Sequence, residues 1–258
     1  IETAIEIAKN DWIITTDADC LVQKDWLTTF DQYIQENEVE MVASGVCYLP
    51  KNGFLSAFQN LDFLSLQGAT IGSFGINQPF MCNGANFAYS KSFFKELNGF
   101  QGNETIASGD DVFLLQKAVS VAPKKVGFLL AKESIVATKP AGTCSELFQQ
   151  RVRWASKSTG YSSVYGKLLA LVVFSGNLVW IVSFLLWLVG LLDQNIFMLF
   201  VALKFLIDFI LLFKTANFFE SKLQYVLASS LLYPFFSVSV AVYSLFGKYS
   251  WKGRNFKK

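Results

Sequence analysis

Asp17, Ala18 and Asp19 put two carboxylates two positions apart at the end of an apolar run, Trp12-Ile13-Ile14-Thr15-Thr16. Along an extended chain residues i and i+2 point the same way, so these like charges would project together. Two readings suit that arrangement. One is a solvated turn, where Asp is common. The other is a hard-oxygen site for Mg²⁺ or Mn²⁺, which bridge one or two carboxylates to substrate phosphates. A second pair, Asp110-Asp111, stands at a predicted helix start, where the dipole favours a carboxylate; Asp110 also suits simple helix capping. Gln150, Arg153, Trp154 and Lys157 fall at i, i+3, i+4 and i+7, a polar-aromatic stripe on one helix face. A surface amphipathic helix would account for the cations, but a Trp among them implies that something stacks there.

Composition limits the chemistry available. The 258 residues contain no histidine, which excludes an imidazole-based triad and any His-ligated metal. Acid–base chemistry near neutrality must then fall to carboxylates. Cys20, Cys47, Cys82 and Cys144 are widely spaced with no C-x-x-C pair, which argues against zinc and against a disulfide scaffold and suits a reducing compartment. A formal net charge of only +2 gives no general field for nucleic acid, so none is expected as a partner.

The elements that must position these residues follow from periodicity. "IETAIEIAKND" has helical spacing and leads into the Trp12–Thr16 run, whose aromatic and β-branched composition predicts a buried strand. A helix feeding a strand is the middle of an α/β unit, so the chain reads as the C-terminal portion of a longer protein. Next come a helix with Trp26, Leu27, Phe30 and Ile34 on one face and a strand over "VEMVASGVCYL". A helix with Phe54, Phe58, Leu61 and Leu64 inward follows. "PFMCNGANFAYSKSFFKELNGF" predicts a strand, a turn at Asn83-Gly84, a second extended piece and a short helix stopped by Gly99. A helix from Asp110 buries Val112, Leu115 and Val119, and "KVGFLLAKESIVATKP" predicts a pair of strands. Strands alternating with helices predict an α/β sheet domain over 1–142. Thr143 and Glu146 form a capping box that starts an amphipathic interface helix within 143–167, with Leu147, Phe148, Val152 and Ala155 as its apolar stripe.

Beyond Lys167 the chain is almost wholly apolar. Residues 168–192 carry no charge, and 196–213 and 226–246 give two further candidate membrane helices, so 168–246 predicts a transmembrane region and 247–258 a basic tail. Lys204 and Asp208, at i and i+4 in the second segment, can pair. They raise an alternative function, a membrane transporter or ion-binding protein with an intramembrane pair. Arg151, Arg153, Lys157 and Lys167 before the first segment place that flank in the cytoplasm by the positive-inside rule. Three full crossings would put the tail outside, whereas its residues Lys248, Lys252, Arg254, Lys257 and Lys258 favour the cytoplasmic side; either the tail is external, or the third segment, interrupted by Pro234, takes a re-entrant or interfacial path.

A metal-held diphosphate, a carboxylate base and an Arg beside an aromatic platform are what sugar transfer from a nucleotide donor needs. The motifs "TTDADC", "CNGANFAYSKSFFKELNGF", "SGDDVFLLQK", "QQRVRW" and "SWKGR", in that order and before membrane helices, resemble a membrane-bound family 2 glycosyltransferase of the GT-A fold. That group contains cellulose, chitin and hyaluronan synthases and ceramide glucosyltransferase. The resemblance implies a partial, Rossmann-like GT-A domain that lacks the N-terminal donor-binding strands. It implies an inverting hexosyltransferase that moves a sugar from a nucleotide-diphosphate sugar to a lipid or glycan acceptor, with Mg²⁺ or Mn²⁺ as cofactor. By the same resemblance Asp17 and Asp19 hold the donor diphosphate and metal, Asp19 the more direct ligand. Asp111 is the base, and Asp110 stands where the family usually has Glu. Gln150, Arg153 and Trp154 hold the donor phosphates and the acceptor's terminal sugar. Cys82, Asn83 and Gly84 line the acceptor site, although Asn83-Gly84 also reads as a plain turn. The expected location is a multi-pass protein of the cell (inner) membrane with its catalytic domain cytoplasmic.

Overall fold

The computed structural model describes residues 1–102, 109–157, 160 and 162–246, together with the backbone of 249–251 and 254–256. A short helix α1 (Glu2–Ile7) precedes strand β1 (Trp12–Thr15), and the amphipathic α2 (Trp26–Glu36) buries Trp26 and Phe30 while Leu27 faces solvent. The expected single strand over "VEMVASGVCYL" is two, β2 (Met41–Ser44) and β3 (Val46–Tyr48), which belong to different sheets. Gly45 separates them, and its carbonyl accepts from the Val136 N–H and the Asn86 side chain instead of continuing one ladder. Helix α3 (Phe54–Gly75) follows, with Phe58, Leu61 and Leu64 buried as the spacing predicts and Phe54 partly exposed. Residues 78–83 form no strand; a 3₁₀ turn (Gly84–Asn86) leads into β4 (Phe87–Ser90) and α4 (Lys91–Glu96). Helix α5 (Asp110–Val121), β5 (Val126–Leu129) and β6 (Val136–Thr138) complete this part.

The main sheet has the order β1-β4-β2-β5: β4 runs antiparallel to both its neighbours, and β2 and β5 are parallel. β3 and β6 form a second, parallel pair. β2 and β4 are buried throughout, and β4's Phe87 and Tyr89 pack with Phe93, Phe94, Leu114 and Leu115 from α4 and α5. That core explains why β2 reads as a continuous apolar run and not as an alternating one. β1 departs from the expectation of a buried strand. It lies at the sheet edge, and all four of its residues are half-buried.

The chain divides into two compact units. The first is Ile1–Pro50, Ala69–Lys139 and Tyr161–Ser163; the second is Lys51–Gly68, Pro140–Gly160 and Val164–Lys258. In the second, α6 (Cys144–Lys157) opens on the expected capping box, with the Glu146 N–H donating to Thr143 Oγ1. The Glu146 carboxylate reaches back to the Gly142 N–H at 2.8 Å. Three long helices follow, α7 (Val164–Leu188), α8 (Gln194–Phe218) and α9 (Val226–Phe246), all long and apolar enough to cross a membrane. α7 starts ahead of the uncharged run and takes in Lys167; α9 continues unbroken through Pro234. Asp193 caps α8 by accepting from the Asn195 and Ile196 N–H groups. Trp180 of α7 packs on Phe235 of α9 and Asn177 donates to Ser237, while most of each helix's apolar surface stays exposed. In water such exposure would be costly; in lipid it is ordinary. Strands β7 (Tyr249–Trp251) and β8 (Arg254–Phe256) pair as a hairpin, whereas Lys248, Lys252, Gly253, Lys257 and Lys258 of the basic tail lie outside the described residues.

Candidate active site

β1 delivers the first carboxylates. Immediately after it the chain turns through Asp17–Asp19, with the Cys20 N–H donating to the Asp17 carbonyl at 3.0 Å. Leu21 then forms a two-way bridge with Ala137 of β6, which fixes the turn's exit. Asp17 and Asp19 are exposed, and their ligand atoms and the Cys20 sulfur lie within 4.8 Å of one another. The i, i+2 juxtaposition expected from the sequence is therefore present. Burial pushes the Cys20 thiol up, a hydrogen bond with Thr138 opposes that shift, and the two neighbouring carboxylates add to it.

The donor set fits a hard divalent ion in part. Two adjacent carboxylates open to solvent are what Mg²⁺ or Mn²⁺ takes while keeping positions for phosphate and water. A protonated thiol is a poor partner for either ion, so Cys20 is not counted among the ligands.

Asp111 has a more constrained setting. Gly109, at the N-cap of α5, has φ +98°, a left-handed conformation that glycine adopts without a Cβ penalty. Asp110 and Asp111 follow in the first turn, both half-buried. The Gly84 N–H donates to Asp111 Oδ2 at 2.6 Å, a charge-assisted bond. Only glycine allows that approach without adjustment, because a Cβ at position 84 would lie 3.1 Å from Asp111 Oδ2 and 3.2 Å from Asp111 Cβ. Thr15 Oγ1 in turn lies 2.6 Å from the Gly84 carbonyl and 3.1 Å from that of Phe87, placed to donate to either. The last residue of β1 is thus tied to the loop that holds Asp111.

The rest of that loop is built as a support. Asn83 accepts from the Ala85 N–H, as an Asx turn does. Asn86, fully buried, donates to the Gly45 and Ser134 carbonyls and accepts from Trp26 Nε1. Cys82 is buried, and its thiol is pushed well up by burial and then by the Asp111 carboxylate. Cys82, Gly84 and Asp111 therefore form one cluster in the first unit, tied to the end of β1 through Thr15. Thr15 and Asn86 went unremarked in the sequence because their roles depend on partners far along the chain.

Gln150, Arg153 and Trp154 lie on α6 in the second unit, all three half-buried. The cation over the Trp154 ring is Arg151, not Arg153: its guanidinium carbon is 4.3 Å from the ring centroid. Arg151 is buried, donates to Asp62 Oδ2 on α3 through Nε at 2.5 Å, and donates to Gln150 Oε1 through Nη1 at 2.5 Å. Phe63 packs on the other partner, its ring centroid 6.1 Å from that of Trp154. Sequence periodicity missed Asp62 and Arg151. The available signal was a lone carboxylate within the apolar "NLDFLSL" and a second Arg in the same helical turn as Arg153. Lys204 does pair with Asp208 along α8, so each charge is neutralised within its own helix.

No curated protein sequence matches the chain. Residues 1–257 match the sequence profile of glycosyl transferase family 21. This supports the glycosyltransferase reading drawn from the motifs, places it in family 21, and gives nothing in favour of a transporter. The match spans both units and their carboxylates, α6 and the three apolar helices, so the chain belongs to glycosyl transferase family 21.

Proposed function

We propose that the protein is an inverting glycosyltransferase that moves a sugar from a nucleotide-diphosphate sugar to a lipid or glycan acceptor at the cytoplasmic face of a membrane. One observation carries the assignment of roles, the hydrogen-bonded chain from Thr15 through Gly84 to Asp111. It couples the strand that presents Asp17 and Asp19 to the carboxylate best placed to act as base. Asp111, held by the Gly84 N–H, takes the proton of the acceptor hydroxyl as the new bond forms. With no histidine in the chain and one base sufficient, direct displacement with inversion needs no covalent nucleophile. Asp17 and Asp19 would hold Mg²⁺ or Mn²⁺, which when bound neutralises charge on the departing diphosphate. Gln150 and Arg153 bind the donor phosphates, Trp154 offers an aromatic face to a sugar ring, and Cys82, Asn83 and Gly84 border the acceptor. Asp110 is not the cap the sequence suggests, since Gly109 holds the N-cap and no side chain caps the helix; in the first turn of α5 it adds negative charge beside the base, where the helix dipole favours it.

The test is turnover by the detergent-solubilised protein against a panel of nucleotide-diphosphate sugars, read as release of the nucleoside diphosphate. We expect one donor class to be turned over, EDTA to stop the reaction and Mn²⁺ or Mg²⁺ to restore it, and Asp19→Ala to weaken donor binding together with turnover. Full activity in chelator would remove the metal from the mechanism, and no turnover of any donor would remove the function.

A further inference from the structure

Two charges buried together are a poor way to stabilise a fold, since replacing such a pair by apolar residues is often neutral or stabilising. Asp62 and Arg151 are nevertheless only 6% and 5% exposed, and they join α3 to α6 within the second unit. The geometry around the guanidinium gives a reason. Its Nε is taken by Asp62, its Nη1 by Gln150 Oε1, and its central carbon lies over the Trp154 ring. Gln150 and Trp154 are i and i+4 and so share a helix face. Arg151 therefore touches both, from a base that Asp62 fixes.

We infer that Arg151, anchored by Asp62, is a positioning residue that sets the side-chain orientations of Gln150 and Trp154 for substrate. The inference rests on the glycosyl-transfer reading for the roles of those two residues. It makes Arg151 distinct from Arg153: one holds the site in shape, the other is the cation proposed to bind the phosphates. The chemistry demands Arg here. Three directions of interaction from one planar group are available to guanidinium and not to an ammonium, which can pair with Asp62 but cannot stack on the indole in the same way.

Two measurements test this. The first is a kinetic cycle on the full chain with Arg151→Lys, Trp154→Phe and the double variant. Arg151→Lys should lower kcat by about tenfold or more while the donor KM stays within about threefold, since orientation is realised mainly in the transition state. The double variant should be slower than Trp154→Phe alone by clearly less than the factor that Arg151→Lys costs in the wild-type background, because the part of that cost routed through Trp154 is gone and only the part routed through Gln150 is left. Multiplying effects, or a wild-type kcat for Arg151→Lys, would overturn the inference. Should Arg151→Lys fail to fold, Asp62→Leu/Arg151→Met keeps the packing without buried charge and should show the same kinetic split; wild-type kinetics there overturn it equally. The second measurement is ¹⁹F NMR of protein carrying 5-fluorotryptophan at its six Trp positions, with the Trp154 line assigned through Trp154→Phe. Arg151→Lys should shift or broaden the Trp154 line and leave that of Trp26 in place, whereas an unmoved Trp154 line contradicts the positioning role. If the wild-type protein transfers no sugar, the functional reading fails, and the fluorine spectrum still decides whether Arg151 orients Trp154.

Discussion

Gly84→Ala places one methyl group against the proposed base and changes little else. Gly84 does not occupy the left-handed region, so alanine is not strained by its backbone, and the whole effect comes from the new contact. A Cβ there would meet Asp111 Oδ2 at 3.1 Å, Cβ at 3.2 Å and Cγ at 3.3 Å. Each is a few tenths of an ångström inside ordinary van der Waals contact, and all three belong to one side chain. Asp111 must therefore swing away, lengthening the 2.6 Å bond from the Gly84 N–H. A hydrogen bond to a charged group is worth about 1.5–3 kcal/mol when lost outright. At 1.36 kcal/mol per decade, partial loss plus the displaced oxygen should cost about 5- to 50-fold in kcat. Donor KM should barely change, because Asp17 and Asp19 are untouched. The melting temperature should fall by only a few degrees, as for a loss of about 1 kcal/mol. The assay is steady-state transfer at saturating donor with a parallel thermal melt. A folded Gly84→Ala protein with wild-type kcat would refute the claim that this contact positions the base.

Thiol chemistry should sort the cysteines by environment. At neutral pH a maleimide should modify the exposed Cys144 rapidly and leave Cys82 intact until denaturant is added, because burial and the Asp111 carboxylate both hold that thiol protonated. Mass spectrometry of labelled peptides checks this, and rapid labelling of Cys82 would contradict its burial. For topology, α9 is covered on one side by Phe148 of the amphipathic α6, which packs against Phe236 and Tyr243, and the basic tail resists translocation. In a background without native thiols, we expect a Cys at Leu191, in the exposed α7–α8 turn, to react with an impermeant maleimide in intact cells and a Cys at Ser250 to be protected; ready labelling at 250 would mean that α9 crosses fully.

What could be read from the sequence was local. The D-x-D turn, the Thr143–Glu146 capping box, the buried face of α3 and the three apolar helices each depend on residues within a few positions of one another. What could not be read depends on distance along the chain. Gly45 splits one apolar run into two strands because β3 finds its partner in β6, about ninety residues on, and no periodicity within "VEMVASGVCYL" contains that information. The same holds for β1, whose aromatic and β-branched residues predict burial, while its place at the sheet edge is set by how β4 and β2 pair. In the candidate site, Asp111 was recognisable from its type and helix position. Its hold by Gly84, 27 residues earlier, was not. Arg151 illustrates the limit most clearly: helical spacing selected Arg153 for the stripe with Trp154, whereas Asp62, 89 positions away, draws Arg151 inward and over the same ring.

The central claim is that Asp111 removes a proton from the acceptor during sugar transfer, and Asp111→Asn in the full-length protein tests it most directly. The amide nearly preserves shape and can still accept from the Gly84 N–H, but it cannot take a proton. Transfer of radiolabelled sugar should fall by about 10²–10⁴-fold, the usual contribution of a general base. Donor affinity, measured separately by calorimetry, should stay within a few fold. An Asp111→Asn protein that transfers sugar at the wild-type rate would contradict the account.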